Sequence, residues 1–181
     1  MIDKHSLTMK KAFRFSFVMI SLLGLITPGA INGQDSYDMR TQTTQSRLNQ
    51  VELMKQFIGT WKGELGRDTI LIGENLPFGT GMVCNSKLVT KGESIDSVIQ
   101  LYGYDNKADK FIVAELIKSS SVIEICSAWF TSKNTGEMVI THPDNAPFRF
   151  KFEFKTPDLI IQTAIMGDKV VREIALTRLK N

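Results

Sequence analysis

The stretch Phe148-Arg149-Phe150-Lys151-Phe152-Glu153-Phe154-Lys155 decides the fold. Four phenylalanines alternate with four charged residues, so a β-strand built from them carries one apolar face and one solvated face. Pro157-Asp158 marks a turn after it, Leu159 to Met166 reads as the next strand, and Gly167-Asp168 is a short hairpin connection. A last strand runs from Val170 to Leu179. Upstream, Gly79 to Thr90, Ser94 to Tyr104, Phe111 to Lys118, Val122 to Thr131 and Glu137 to Thr141 have strand character. Between them lie Lys91-Gly92, Asp105-Asn106-Lys107, Ser119-Ser120 and Lys133-Asn134-Thr135-Gly136, all of turn composition.

With a first strand opening at Gly59, about nine short strands follow one another with no helix between any two. Parallel pairing needs a crossover of about a dozen residues or more, which these connections do not provide. The expected fold is all-β: an antiparallel up-and-down barrel of about 8–10 strands, since closure removes the exposed edges. The segment Asp68 to Gly81 resists assignment, being extended but rich in glycine where a clean first hairpin is expected. Within it Gly73 to Gly81, with Leu76, Pro77 and Phe78, reads as a contact surface or a cover over the barrel mouth.

Before the strands, Leu48, Val51, Met54 and Phe57 recur at three- and four-residue spacing, with Leu53 and Ile58 beside them, and predict a short helix running into Gly59. Residues 34–47 are polar and aperiodic and read as a flexible leader into a barrel domain spanning 48–181. Residues 1–33 read as a cleavable secretion signal: Lys10, Lys11 and Arg14, then an apolar run from Phe15 to Ile26, then Pro28 and small residues as far as Gly33. That run is shorter than the ~20 residues a membrane-crossing helix needs, so the mature chain is expected to have no membrane span. Met9 opens a complete signal by itself, which makes it a candidate functional start. The expected location is the periplasm or the extracellular medium.

Removing the leader changes the charge. The chain has 22 basic and 19 acidic residues, and residues 1–33 take four basic and one acidic with them, leaving 18 of each. A neutral surface offers no footprint for nucleic acid and no polybasic membrane patch. His142 is the one histidine of the mature chain, and Cys84 and Cys126 are its two cysteines. No cluster has metal-ligand spacing, so neither a metal nor a cofactor is expected. In an oxidising compartment Cys84 and Cys126 can form a disulfide; as strand residues they also suit two buried free thiols.

Phe57-Ile58-Gly59-Thr60-Trp61-Lys62-Gly63-Glu64 resembles the Gly-x-Trp opening of lipocalins, in which a short helix leads into the first strand of an up-and-down barrel. The chain more closely resembles a bacterial lipocalin-like family of unknown function, through Gly59-Thr60-Trp61-Lys62-Gly63, Gly103-Tyr104-Asp105-Asn106 and Ala175-Leu176-Thr177-Arg178. The resemblance covers residues 50–181, although the second, Thr-Asp-Tyr-type motif of lipocalins is missing. It implies a structural role for Gly59, Trp61 and Arg178, with the arginine lying across the indole.

Barrels of this size hold one small ligand or fill with side chains. Read as interior residues, Met82, Tyr102, Trp129, Phe148, Phe150, Phe152 and Phe154 suit a small hydrophobic ligand, or equally an ordinary core. Thr141-His142-Pro143-Asp144 sets a histidine near an acid, but no nucleophile motif accompanies it, so catalysis is not expected and no catalytic residue is assigned. A packed barrel acting as an envelope interaction or accessory protein is the alternative. The oligomeric state is left open by the sequence.

Overall fold

The structure, a computed structural model, describes residues 48–143, 146 and 148–180. The secretion signal, the leader before residue 48 and Asp144 lie outside the described residues. The described chain opens with one helical turn, α1 (Gln50–Met54), continued by a 3-10 turn at Lys55–Phe57. Ten strands follow: β1 (Gly59–Gly66), β2 (Thr69–Phe78), β3 (Gly81–Thr90), β4 (Glu93–Asp105), β5 (Lys110–Ile117), β6 (Ile123–Phe130), β7 (Thr135–His142), β8 (Phe148–Thr156), β9 (Leu159–Met166) and β10 (Lys169–Arg178).

Each strand pairs antiparallel with the next, and β10 returns to β1 to close the barrel. The closing register pairs Trp61 with Arg178 and Gly63 with Leu176. No strand edge is left over in this sheet, which is how an up-and-down meander satisfies every ladder donor.

The expected all-β barrel with a short N-terminal helix is what folds, with one strand more than the nine read from the sequence. The extra strand is β2, in the segment Asp68 to Gly81 that composition left unassigned. Gly73, Glu74, Asn75 and Pro77 have poor strand propensity, but tertiary pairing overrides it. Residues 69 to 78 pair one for one with β3.

A five-residue helix is too short to persist alone in water. The Asn49 side chain caps α1 by accepting from the Glu52 amide at 3.1 Å. Tertiary contacts do the rest. Buried Gln50 accepts from the Phe130 amide (2.7 Å) and donates to the Phe130 carbonyl (3.0 Å), which fastens the helix to the end of β6. The helix thereby closes the end of the barrel that carries the β2–β3, β4–β5, β6–β7 and β8–β9 turns. Among the described residues no helix is long and apolar enough to cross a membrane.

Candidate functional site

The barrel lumen divides into two regions by chemistry. Near the helix it is aromatic and full. The Phe57 ring lies 4.9 Å from Phe154 and 5.1 Å from Phe152, both edge-on, and 6.0 Å from Phe130. Edge-to-face contacts of this kind add to the area the rings bury. The Phe57 carbonyl, in turn, accepts from the Trp61 indole at 2.7 Å and from the Asn75 amide at 2.8 Å. Phe150, Phe152, Phe154 and Met82 are all buried, as the alternating pattern requires, and their contacts are with the chain itself.

Farther from the helix the lumen has two unlike walls. β8, β9 and β10 contribute Phe148, Phe150 and Ala164, with Gln162, whose Oε1 is buried, and Arg172, which donates to the Leu65 carbonyl. The facing wall, β3 to β6, turns polar residues inward. Ser86, Asp96, Gln100, Glu115 and Glu124 are each 5% exposed or less. Tyr102 donates its hydroxyl to Gln100 Oε1 at 3.0 Å, and Gln100 Nε2 donates to Glu115 Oε2 in a short hydrogen bond. Asp96 sits nearer the open end, accepting from the Ser119 hydroxyl and from the Ser97 amide. Register places Cys84, Gln100, Glu115 and Glu124 in one row across four strands, and Met82, Tyr102, Val113 and Cys126 in the adjacent row.

Sequence reasoning missed this polar row because the same strands carry apolar residues on the other face. Ile95, Ile99 and Leu101 point out of the barrel, 49–56% exposed. The available signal was the phase of Asp96-x-Val98-x-Gln100-x-Tyr102, which a single known inward residue would have set.

The electrostatics follow from this burial. The Cys84 thiol is pushed up to about 11, by desolvation first and by the Glu115 charge in lesser part, against a lowering hydrogen bond to Ser86. Cys126 is pushed up to about 12 by desolvation, then by Glu115 and Glu124. Desolvation also holds the Tyr102 hydroxyl well above its ordinary range, with Cys84, Glu115 and Cys126 adding to it. Glu115 therefore acts on three lumen groups at once. Since a thiolate is the nucleophile, neither cysteine has nucleophilic character here.

Cys84 and Cys126 are both free. They stand three strand places apart, about 14 Å along the sheet at ~4.8 Å per strand, and a disulfide needs Cα atoms within ~7 Å.

Trp129 lies outside the lumen. Its neighbours Ala128 and Phe130 are the inward pair, and the Trp129 ring sits on the outer surface with Lys110 Nζ 4.0 Å from its centroid. Bulk suggested an interior position, and the two-residue period of β6 decides otherwise. His142, at the end of β7, is exposed, with no partner assigned among the described residues.

At the helix end, Arg178 Cζ lies 4.2 Å above the Trp61 ring. The guanidinium donates to the carbonyls of Ile58, Gln56 (2.8 Å) and Pro157 (2.8 Å), and its Nε to Asp158 at 3.1 Å. Gly59 makes room for it: at φ +118° a Cβ would sit 2.8 Å from Arg178 Nη1. The Gly-x-Trp element and the terminal arginine form one structural unit, which joins the first strand, the last strand and the helix.

Two cavities lie outside the lumen. One, of about 50 Å³, is wedged between α1 and the β2–β3 turn against Met54 and Met82. The other is a groove of about 450 Å³ on the outer surface of β7 to β10, lined by Glu137, Lys151, Glu153 and Glu173 among others. Among the described residues no group of three or more His, Cys, Asp or Glu is placed to hold a metal ion.

Scanned against protein-family models and against curated proteins, the chain matches none. Its architecture defines the class: a closed ten-stranded antiparallel β-barrel with an N-terminal helix across one end.

Proposed function

We propose that this chain is an exported, lipocalin-like binding barrel whose lumen takes a small molecule with an apolar body and a hydrogen-bond-donating or cationic head. The observation that carries this reading is the asymmetry of the lumen. A wall that is aromatic and aliphatic apart from Gln162 and Arg172 faces one bearing Tyr102, Gln100, Glu115 and Glu124. Burying a carboxyl costs several kcal/mol unless it is compensated, and a barrel that needed only filling would use aliphatic side chains there. The inner carboxyls favour a donor or cation and repel an anionic head. The upper lumen is the candidate ligand site, where Tyr102, Ile140 and Phe148 point inward yet are only partly covered. Phe152 and Phe154, beneath the helix, line the floor.

The role is binding rather than catalysis, and the secretion signal expected from the sequence supports a location outside the cytoplasm. Membership of the lipocalin-like family is supported by the position of Gly59-Thr60-Trp61 at the start of β1 and by Arg178 across the indole.

The test is thermal unfolding with a panel of long-chain alcohols, amines, fatty acids and terpenoids. A ligand at 100 times its Kd adds about 2.7 kcal/mol, which raises Tm by several degrees in a domain of this size. The expected order is amines and alcohols above fatty acids. No shift with any of them argues for the second reading, a packed barrel that works through its outer surface. The exposure of Leu76 (46%) and Phe78 (75%) favours that alternative.

A further inference from the structure

We propose that the outer face of β3 to β6 is an interface through which two copies of this chain pair. The face is apolar across four strands. Register lines up Val83, Leu101, Ala114 and Ile125 in one row, and Asn85, Ile99, Leu116 and Ile123 in the next. Exposure is 49% at Ile99, 54% at Leu101, 45% at Leu116 and 53% at Ile123. The opposite wall is built differently. On β8 the outward residues are Arg149, Lys151, Glu153 and Lys155, and Lys151 and Lys155 pair with Glu137 (3.7 Å) and Glu153 (2.8 Å).

β8 is therefore a half-solvated strand, whereas β4, β5 and β6 carry exposed apolar residues on the outer face. A contiguous exposed apolar patch of this kind marks an interaction surface. The lumen covers one side. Nothing in the described chain covers the other.

A second copy fits this face for two reasons. Its area is right: four strands at ~4.8 Å and the run from Ser97 to Asp105 at ~3.3 Å per residue give a sheet of about 500 Å² before its side chains are counted. That approaches the ~800 Å² per partner of a standard interface and sits high in the ~300–600 Å² range of the largest patches on monomers. Its shape is right, since two sheet faces pack at ~10 Å with interdigitating side chains. Lys87 and Lys118 flank one edge of the patch on either side of Ser97, and the pair Asp105 and Lys110 lies at the other. A two-fold axis running across the strands keeps both charged edges at the rim of the interface. The three rows between these edges, through Ile99, Leu101 and Gly103, contain no charged side chain.

A transmembrane barrel needs an apolar band around its whole girth, and the charged outer face of β8 excludes one.

Sedimentation velocity on the chain produced from its full coding sequence, at 1–100 μM, tests the proposal. The expected result is twice the single-chain mass for the wild type and for Lys151→Glu on the opposite wall. Leu101→Glu and, separately, Leu116→Lys are expected to give the single-chain mass, with a far-ultraviolet circular dichroism spectrum unchanged from wild type. A wild type that stays at single-chain mass at 100 μM overturns the proposal, whether or not the variants fold. So does a double mass that survives both patch substitutions in folded protein. Flotation of a single-mass wild type with phosphatidylcholine vesicles, lost in Leu101→Glu, reassigns the face to lipid and likewise overturns it.

Discussion

Trp61 and Arg178 are direct partners across the strand pair that closes the barrel, and the guanidinium carbon stands 4.2 Å over the indole. One arginine thus contacts the first strand, the last strand, the 3-10 turn and the β8–β9 turn. Replacing it with alanine leaves the carbonyls of Ile58, Gln56 and Pro157 without their donor. Arg178→Ala is expected to lower the unfolding free energy by about 3 kcal/mol, from lost charged hydrogen bonds and the cation–π contact. Arg178→Lys should recover less than half of that, because lysine lacks the planar fork. Urea unfolding followed by tryptophan fluorescence measures both. A loss below about 0.5 kcal/mol, the scale of an ordinary surface substitution, would mean the unit contributes little.

The two raised thiols set the alkaline limit of the fold. Their ordinary value of 9.0 rises to about 11 at Cys84 and about 12 at Cys126. Between pH 9 and 11 the unfolded chain releases protons that the folded chain retains. Stability is therefore complete below pH 9 and falls above it by up to about 1.4 kcal/mol per pH unit for each thiol. Cys84→Ala should flatten that decline in urea melts run from pH 8 to 11. At pH 8 both thiols are expected to resist iodoacetamide until the chain is unfolded.

Gly136 and Gly103 predict opposite outcomes for the same change. A Cβ at Gly136 would lie 2.1 Å from Phe152 Cζ and 2.5 Å from the Trp129 carbonyl oxygen, whereas one at Gly103 meets nothing within 4 Å. Gly136→Ala is expected to cost about 2–3 kcal/mol, with the aromatic floor displaced. Gly103→Ala should be neutral or stabilising by about 0.5 kcal/mol. Differential scanning calorimetry distinguishes them, and equal effects would contradict the packing described.

Gln50 fastens the helix to β6 through both polar groups of the Phe130 peptide unit. Gln50→Ala leaves that buried pair unsatisfied and is expected to cost about 2 kcal/mol. Amide exchange in residues 50–57 should accelerate before that of the strands. Uniform acceleration would mean the helix end and the barrel unfold as one unit.

The fold was legible wherever one strand face is apolar and the other charged. Phe148 to Lys155 is the clearest case, and its spacing fixed both period and phase. Legibility failed where that contrast disappears. β2 was missed because Gly73, Asn75 and Pro77 lack strand propensity, and pairing with β3 supplies what propensity does not. The inner wall was missed because β4 to β6 carry apolar residues on the outer face and polar ones among the inner, so hydrophobicity alone does not say which side is the lumen. Trp129 went to the wrong side for the same reason. Gln100, Glu115 and Glu124 emerge only once the register with β3 and β7 is known.

Native mass spectrometry of the protein purified from its native source reads the proposed lumen ligand out directly. The expected result is a retained small molecule with an apolar body and a donor or cationic head, released on denaturation, and weaker retention in Glu115→Gln. A bare protein mass, unchanged after incubation with the alcohol, amine and terpenoid panel, would contradict it.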